Sequence, residues 1–224
     1  MINILMNTYN IVNPAYIEEL KNYIKPHHRV CVIPFAFREK EIPTNDIWQN
    51  FYAEDRGIYR QGMESMFSRF NIGKSQISYI NYFEDSPETA FKKCSACDIL
   101  YFTGGLPDKL YDRLKEFKLV EPLSRHSKIM MGDSAGAVIQ FRQFHLSPDA
   151  DYPHFSYYNG LDIIKNFELE VHYADTAVQN ESIQKVITEK KIPVVALPDD
   201  SILIVDNLAI TSLGLNKIFL PVSS

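Results

Sequence analysis

The sequence predicts an α/β fold of three layers, α/β/α, with a mostly parallel central sheet and antiparallel hairpins towards the carboxyl terminus. Three observations carry this. Short apolar runs alternate with helix-patterned stretches over the first two-thirds of the chain. Two of those runs end in glycine turns, at Thr103-Gly104-Gly105 and Gly132-Asp133-Ser134-Ala135-Gly136. The last third changes to short strands around turn signals such as Asp206-Asn207. Strand–helix alternation implies right-handed crossovers, and so a parallel sheet covered on both faces.

In order, 2–6 reads as a strand and 14–25 as a helix opened by Pro14. Residues 29–35, with Val-Cys-Val-Ile at their centre, form a second strand. The polar and aromatic stretch 46–70 is helical with a break near Gly57. A strand at 77–82, a helix at 87–97 and a buried strand at 98–102 follow. A helix over 108–117 then leads to the strand 128–131. Residues 144–158 read as irregular. Beyond them come a strand at 167–172, a helix at 180–190, and short strands at 194–197, 201–205, 209–211 and 218–220. There is no repeat or linker, so 1–224 reads as one domain.

Bulk properties narrow the function. Hydrophobic residues make up 46 % of the 224, enough for a sizeable core. A net charge of −5 offers no basic face for nucleic acid. No apolar run approaches the ~18 residues of a membrane span. The first six residues lack a basic n-region and read as a strand, not a signal peptide. Cys31, Cys94 and Cys97 are too few and too odd in number for a disulfide framework. A cytoplasmic protein, monomer or homodimer, with no nucleic-acid or membrane partner, is expected.

The chemistry centres on residues 128–137. An apolar run enters Gly-x-Ser-x-Gly and small residues follow, which suits a strand, a tight turn lifting Ser134 out of the sheet, and a helix. Serine needs a base, and the base needs an orienting group. Of six histidines, His172 alone falls at the end of a clear strand, where ligands gather in open α/β sheets. His27 and His28 follow a helix end, His126 lies in a polar loop, and His145 and His154 belong to the irregular segment. Asp199, directly after the strand Val194-Val195-Ala196-Leu197-Pro198, is the candidate orienter, with Asp200 and Asp175 as competitors. The N–H of Ala135 and a backbone donor from Gly104-Gly105 would form an oxyanion hole. The order serine, histidine, acid differs from that of an α/β-hydrolase.

Together, Phe102-Thr103-Gly104-Gly105, Gly132-Asp133-Ser134-Ala135-Gly136-Ala137, His172 and Leu197-Pro198-Asp199 resemble peptidase family S51, of aspartyl dipeptidase (peptidase E) and, more distantly, cyanophycinase. The resemblance implies a class I glutamine amidotransferase-like (flavodoxin-like) fold. It also implies Ser134 as nucleophile, His172 as base, Asp199 as orienter, and Gly105 and Ala135 as oxyanion donors. It further implies hydrolysis of short peptides, above all α-aspartyl dipeptides, with no metal or cofactor. The family carries arginines after the histidine, whereas residues 176–184 hold no cation, leaving Arg142 to contact an acidic substrate. Gly104 and Asp133 are further candidates for substrate contacts. Two other readings are a non-catalytic relative binding a small acidic metabolite or peptide, and an esterase or acyltransferase with the same triad.

Three further features bear on the site. Cys94-Ser95-Ala96-Cys97 reads as buried thiols rather than a redox pair. The aromatic stretch 141–158 reads either as a lid over the substrate or as a packed loop. Trp48, Phe51 and Tyr52, at helical spacing, read as core or interface.

Overall fold

Successive side chains of a strand point to opposite faces, and the central strands here feed two separate cores in that way. The computed structural model describes residues 1–125 and 128–221, so His126 lies outside the described residues. In chain order the elements are β1 (Ile2–Met6), α1 (Pro14–Leu20), β2 (Val30–Ile33), α2 (Asn45–Tyr52), α3 (Ile58–Ser68), β3 (Ile77–Tyr79), α4 (Pro87–Ser95), β4 (Ile99–Phe102), α5 (Pro107–Glu116), α6 (Val120–Ser124), β5 (Ile129–Asp133), α7 (Ala135–Val138), β6 (Gln143–Leu146), β7 (Ser156–Asn159), β8 (Glu168–Glu170), α8 (Ala177–Lys190), β9 (Val194–Ala196), β10 (Ile202–Asp206), β11 (Ala209–Leu213) and β12 (Lys217–Phe219).

The helices start where the local chemistry requires. Asn13, Thr44, Ser86 and Thr176 each accept a first-turn amide, and Pro14 and Pro87 take the first helical position after two of these caps. Gly57 divides 46–70 into α2 and α3, as its composition suggests. The helix expected over 14–25 stops at Leu20, because after Lys21 N–H donates to Ile17 the next amides, of Asn22 and Tyr23, turn to the Glu19 and Leu20 carbonyls three residues back, and the chain then runs into Pro26.

The central sheet runs β11-β10-β1-β5-β4-β2-β3. The five strands from β1 to β3 are parallel, while β10 pairs antiparallel with β1 and β11 with β10. Ile4, Met6, Val30, Val32, Ile99, Tyr101, Ile129 and Met131 face the layer containing α1, α2 and α3. Leu5, Cys31, Ile33, Leu100, Phe102 and Met130 face α4, α5, α6 and α7. Cys31, Cys94 and Cys97 are free thiols buried in this second layer.

Two expectations need correction. The strand over 167–172 is only β8, and it does not join the central sheet. It pairs parallel with β9, and β9 pairs antiparallel with β12, in a separate three-stranded sheet covered by α8. The segment 144–158 is not irregular throughout, since β6 and β7 form an antiparallel pair. Polar residues in both strands hid this hairpin, because the partners that let His145 be buried lie elsewhere in the chain.

The partners are Glu168 and Glu170 of β8. The His145 ring sits between them, with Nδ1 2.7 Å from Glu168 Oε2 and Nε2 2.8 Å from Glu170 Oε2. The Ser147 hydroxyl donates to Glu170 Oε2 at 2.8 Å, and the Lys190 ammonium pairs with Glu168. His145, Glu168 and Glu170 are all buried. Burial alone would lower the imidazolium pKa, but hydrogen bonds and charge from the two glutamates overcome it and hold the group up at about 9. His145 is therefore a cation at neutral pH that clamps the β6–β7 hairpin to β8.

Removing one partner of a buried ionic cluster leaves uncompensated charge, so His145→Ala should destabilise by ~3–5 kcal/mol in urea denaturation. The folded pKa lies above the unfolded value of ~6.5, so this stabilisation is complete below that pH and is lost as pH rises through about 9. The thermal midpoint should fall over that window in the native sequence, and His145→Gln should flatten the fall.

Candidate active site

The carboxyl ends of β1, β4 and β5 place three loops side by side. Ser134 follows β5 with φ 51 and ψ −112, a conformation that side-chain-bearing residues rarely adopt. Two contacts hold it there. Ser134 N–H donates to the Met6 carbonyl of β1 at 2.8 Å. On the other side Gly136 lies against β4, where an added Cβ would stand 2.0 Å from the Phe102 carbonyl oxygen. Ser134 is thus lifted off the sheet edge, and α7 begins at the next residue.

His172 is brought to it from the second sheet. Its Nε2 lies 2.9 Å from Ser134 Oγ, within hydrogen-bond reach. His172 also has a positive φ, 51, so the chain turns sharply just past β8 and aims the ring back. A buried side chain that the sequence did not single out organises this approach. Asn7, the residue after β1, accepts from His172 N–H at 2.9 Å and donates to the Leu197 and Pro198 carbonyls at 2.7 and 2.6 Å. One amide therefore ties the histidine loop and the Asp199 loop to the central sheet. Gln179 donates to the His172 carbonyl at 3.0 Å and closes the turn from the helix side.

Asp199 Oδ1 is 3.6 Å from His172 Nδ1, longer than a hydrogen bond, and its side chain is 92 % exposed. The competitor Asp175 is engaged elsewhere, by the Lys217 ammonium, Asn180 and the Tyr173 hydroxyl; its hydrogen bonds to Asn180 and Lys217 hold it well below the usual carboxylate range. Asp200 takes a left-handed turn position.

Gly105 and Ala135 both line the cleft beside Ser134. Gly105 has φ 132, and a Cβ there would lie 2.2 Å from the Ala36 carbonyl. Among the described residues neither backbone amide is taken by a backbone acceptor, whereas the next amide, of Leu106, donates to Ala36 at 2.7 Å. Both remain available to an oxyanion.

The cleft is about 540 Å³ and is walled by Arg38, Ser134, His145, Ser147, Asp151 and Glu170, among others. Arg142 does not line it. Its guanidinium is largely exposed and lies 3.6 Å from Asp162, because the hairpin strand it precedes turns it away from the elbow. Among the described residues the Arg or Lys side chain lining the cleft is Arg38, from the loop after β2, which nothing in its local sequence distinguishes. It forms a two-pronged pair with Asp151 in the loop between β6 and β7. Tyr152 of that loop donates to Asp108 at 2.5 Å. In the aromatic stretch Phe141 and Phe144 are buried in the core, and Asp149, Asp151 and Tyr152 at its tip line the cleft.

Behind the Gly104-Gly105 turn lies a second cavity of about 260 Å³, sharing Arg38 and Gly105 with the first. Gly104 and Asp133 line this one, as do Phe51 and Tyr52, so α2 supplies a cavity wall as well as core. Tyr101 donates to Asp133 Oδ1 at 2.5 Å. Burial pushes the Asp133 carboxyl up to about 6, against the Tyr101 and Gly104 hydrogen bonds.

Among the described residues no group of three or more His, Cys, Asp or Glu is placed to hold a metal ion, and no helix is long and apolar enough to cross a membrane. Comparison with solved structures finds the same architecture elsewhere. A candidate peptidase E protein from Listeria monocytogenes EGD-e superposes with a TM-score of 0.64 at 18 % identity, over 96 % of this chain and 98 % of that one. A peptidase from an acI-B1 Actinobacterium gives 0.62 at 15 % identity, over 99 % and 95 % of the two chains. At such identities these likenesses speak to the fold. No curated protein matches the sequence. The family model for peptidase family S51 matches residues 11–213, and with that span the chain belongs to peptidase family S51.

Proposed function

We propose that the protein is a serine-type peptidase of short peptides, in which Ser134 is the nucleophile and His172 its base. The observation that carries this is the 2.9 Å approach of His172 Nε2 to Ser134 Oγ, made between two sheets at a strained elbow. Ser134 Oγ attacks the scissile carbonyl as His172 takes its proton. The amides of Gly105 and Ala135 receive the oxyanion. His172 then protonates the leaving amine, and water enters by the same route to release the acyl group. Asp199 is the orienter, acting through a longer and more solvated contact than a buried acid would make.

For substrate, an α-aspartyl dipeptide is the first choice. Arg38 supports it as the guanidinium of the cleft, where a substrate carboxylate would share or displace Asp151. The strapped loop leaves a cleft of short-peptide size.

Three measurements test this reading. Ser134→Ala should abolish dipeptide hydrolysis and fluorophosphonate labelling while leaving the circular dichroism spectrum intact; a folded variant that still turns over substrate removes Ser134 from the mechanism. His172→Ala should lower kcat/KM by ~10³-fold or more, whereas Asp199→Asn should cost only about tenfold, far less than the ~10⁴-fold seen when a buried triad acid is lost. Arg38→Met should raise KM for Asp-X dipeptides with little change in kcat, and an unchanged KM would remove Arg38 from aspartate recognition.

A further inference from the structure

The cavity behind the oxyanion turn holds a buried acid without a counter-ion. Asp133 points to the α2–α3 side of the sheet, because it alternates with Gly132 along β5 and shares a face with Met131. Its carboxylate accepts from Tyr101 and from the Gly104 amide. Among the described residues it has no salt bridge, although it is only 7 % exposed. Buried carboxylates are normally paired with a cation, because hydrogen bonds alone leave much of the charge uncompensated.

The rest of the wall suits the missing partner. Tyr9, Phe51, Tyr52 and Tyr59 line the cavity, with Phe51 and Tyr59 stacked at 5.1 Å between ring centroids. Ring faces attract a cation, and together with apolar side chains they cover an aliphatic stem. Ile42 and Met63 supply that apolar surface. A cavity of about 150 Å³ holds benzene, so 260 Å³ accepts a four- or five-atom side chain with room to spare. The charged groups at the mouth are Arg38 and Glu41, and Arg38 is already committed to Asp151 and, at 3.6 Å, to Glu41.

The cavity also reaches the chemistry. Gly104 separates it from the nucleophile, and a Cβ on Gly104 would stand 2.7 Å from Asp133 Oδ2 and 3.4 Å from Ser134 Cβ. The walls common to the two cavities are Arg38 and Gly105, and a substrate side chain that passes between the cavities there would reach Asp133.

We propose that this cavity is a specificity pocket for a basic side chain of the lysine class, with the aromatic walls around its stem and Asp133 receiving its ammonium. This rests on the peptidase reading for its connection to Ser134, but the pocket can be tested apart from it. The groups facing Asp133 are Tyr101 from β4, the Gly104 amide from the turn, Tyr52 from α2, Tyr59 from α3, Tyr9 from the loop after β1, and Arg38 and Glu41 at the mouth. Burial raises the Tyr52 and Tyr101 hydroxyls further above the ordinary phenol value, so these two stay neutral.

The experiment is calorimetric titration of the full chain with n-butylammonium and with its neutral isostere n-butanol, at pH 7.5 and pH 5. At pH 7.5 the ammonium should bind at least about tenfold more tightly than the alcohol, as a desolvated cation–π and carboxylate site requires. At pH 5, below the value near 6 at which Asp133 takes up a proton, that preference should shrink to about twofold or less. Asp133→Asn keeps a side-chain oxygen for Tyr101 and Gly104, and should remove the preference at both pH values. Tyr59→Leu should weaken ammonium binding several-fold if the wall is an aromatic box. Equal affinity for ammonium and alcohol at pH 7.5, or a preference that survives in Asp133→Asn, overturns the proposal and leaves Asp133 as a strut for the turn. Fluorophosphonate labelling of Ser134 is read on the same samples. Labelling without ammonium preference rejects the pocket alone, and ammonium preference without labelling rejects the peptidase reading alone.

Discussion

The backbone of the elbow lies against the end of β4, and that contact governs the rest of the site. Gly136 packs so closely on Phe102 that no side chain fits between them. The chain must therefore turn within one residue of β5, and Ser134 absorbs the turn in its own φ of 51. A residue held in such a conformation costs of order 1–3 kcal/mol and needs surroundings that over-determine it. Here the parallel pairing of β5 with β1 on one side and β4 on the other fixes the strand, and Met6 takes the Ser134 amide. The same turn leaves the Ala135 amide unclaimed by the backbone beside the serine. The geometry of the candidate site follows from sheet packing, not from a helix of any length, since α7 is a single turn.

A second sheet has to meet this edge, and one side chain manages the meeting. β8 and β9 carry the histidine and acid loops but share no ladder with the central strands. Asn7 bridges the gap with three hydrogen bonds, one to each of His172, Leu197 and Pro198. An asparagine can do this because it donates and accepts at once, which neither aspartate nor leucine of similar size can. The His145 cluster secures the same sheet from beneath, fixing β8 two residues before His172.

Much of this was legible in the sequence. The elbow, the Gly104-Gly105 turn and the central strands were readable, because glycine at forced backbone positions and apolar runs in buried strands are local signals. Ser134 and His172 could be picked as a pair because both follow strands. The separate second sheet was not legible, since β9 is as apolar as strands of the main sheet, β8 alternates as an ordinary strand does, and pairing is a tertiary choice. Asn7, Arg38 and His145 were hidden for a related reason. Each has an ordinary neighbourhood in sequence and gains its meaning from partners 23 to 191 residues away. Arg142 erred in the other direction, being close to the elbow in sequence yet turned away by the strand it precedes.

The molecule buries acids in two different ways, and the contrast separates architecture from recognition. Glu168 and Glu170 come with their own cations, His145 and Lys190, which follow them into the interior. That cluster is closed, and a ligand would have to break it to gain anything. Among the described residues Asp133 has only neutral donors, so its charge is stabilised in part and opposed by burial. A carboxylate left in that condition favours either a proton or a cation from outside. Strand alternation for Asp133 and the sharp turn at Ser134 send these neighbours in sequence to different cavities that share Arg38 and Gly105. Any group that settles on Asp133 therefore presses on the same turn that carries the Gly105 amide, so the two cavities share one piece of backbone.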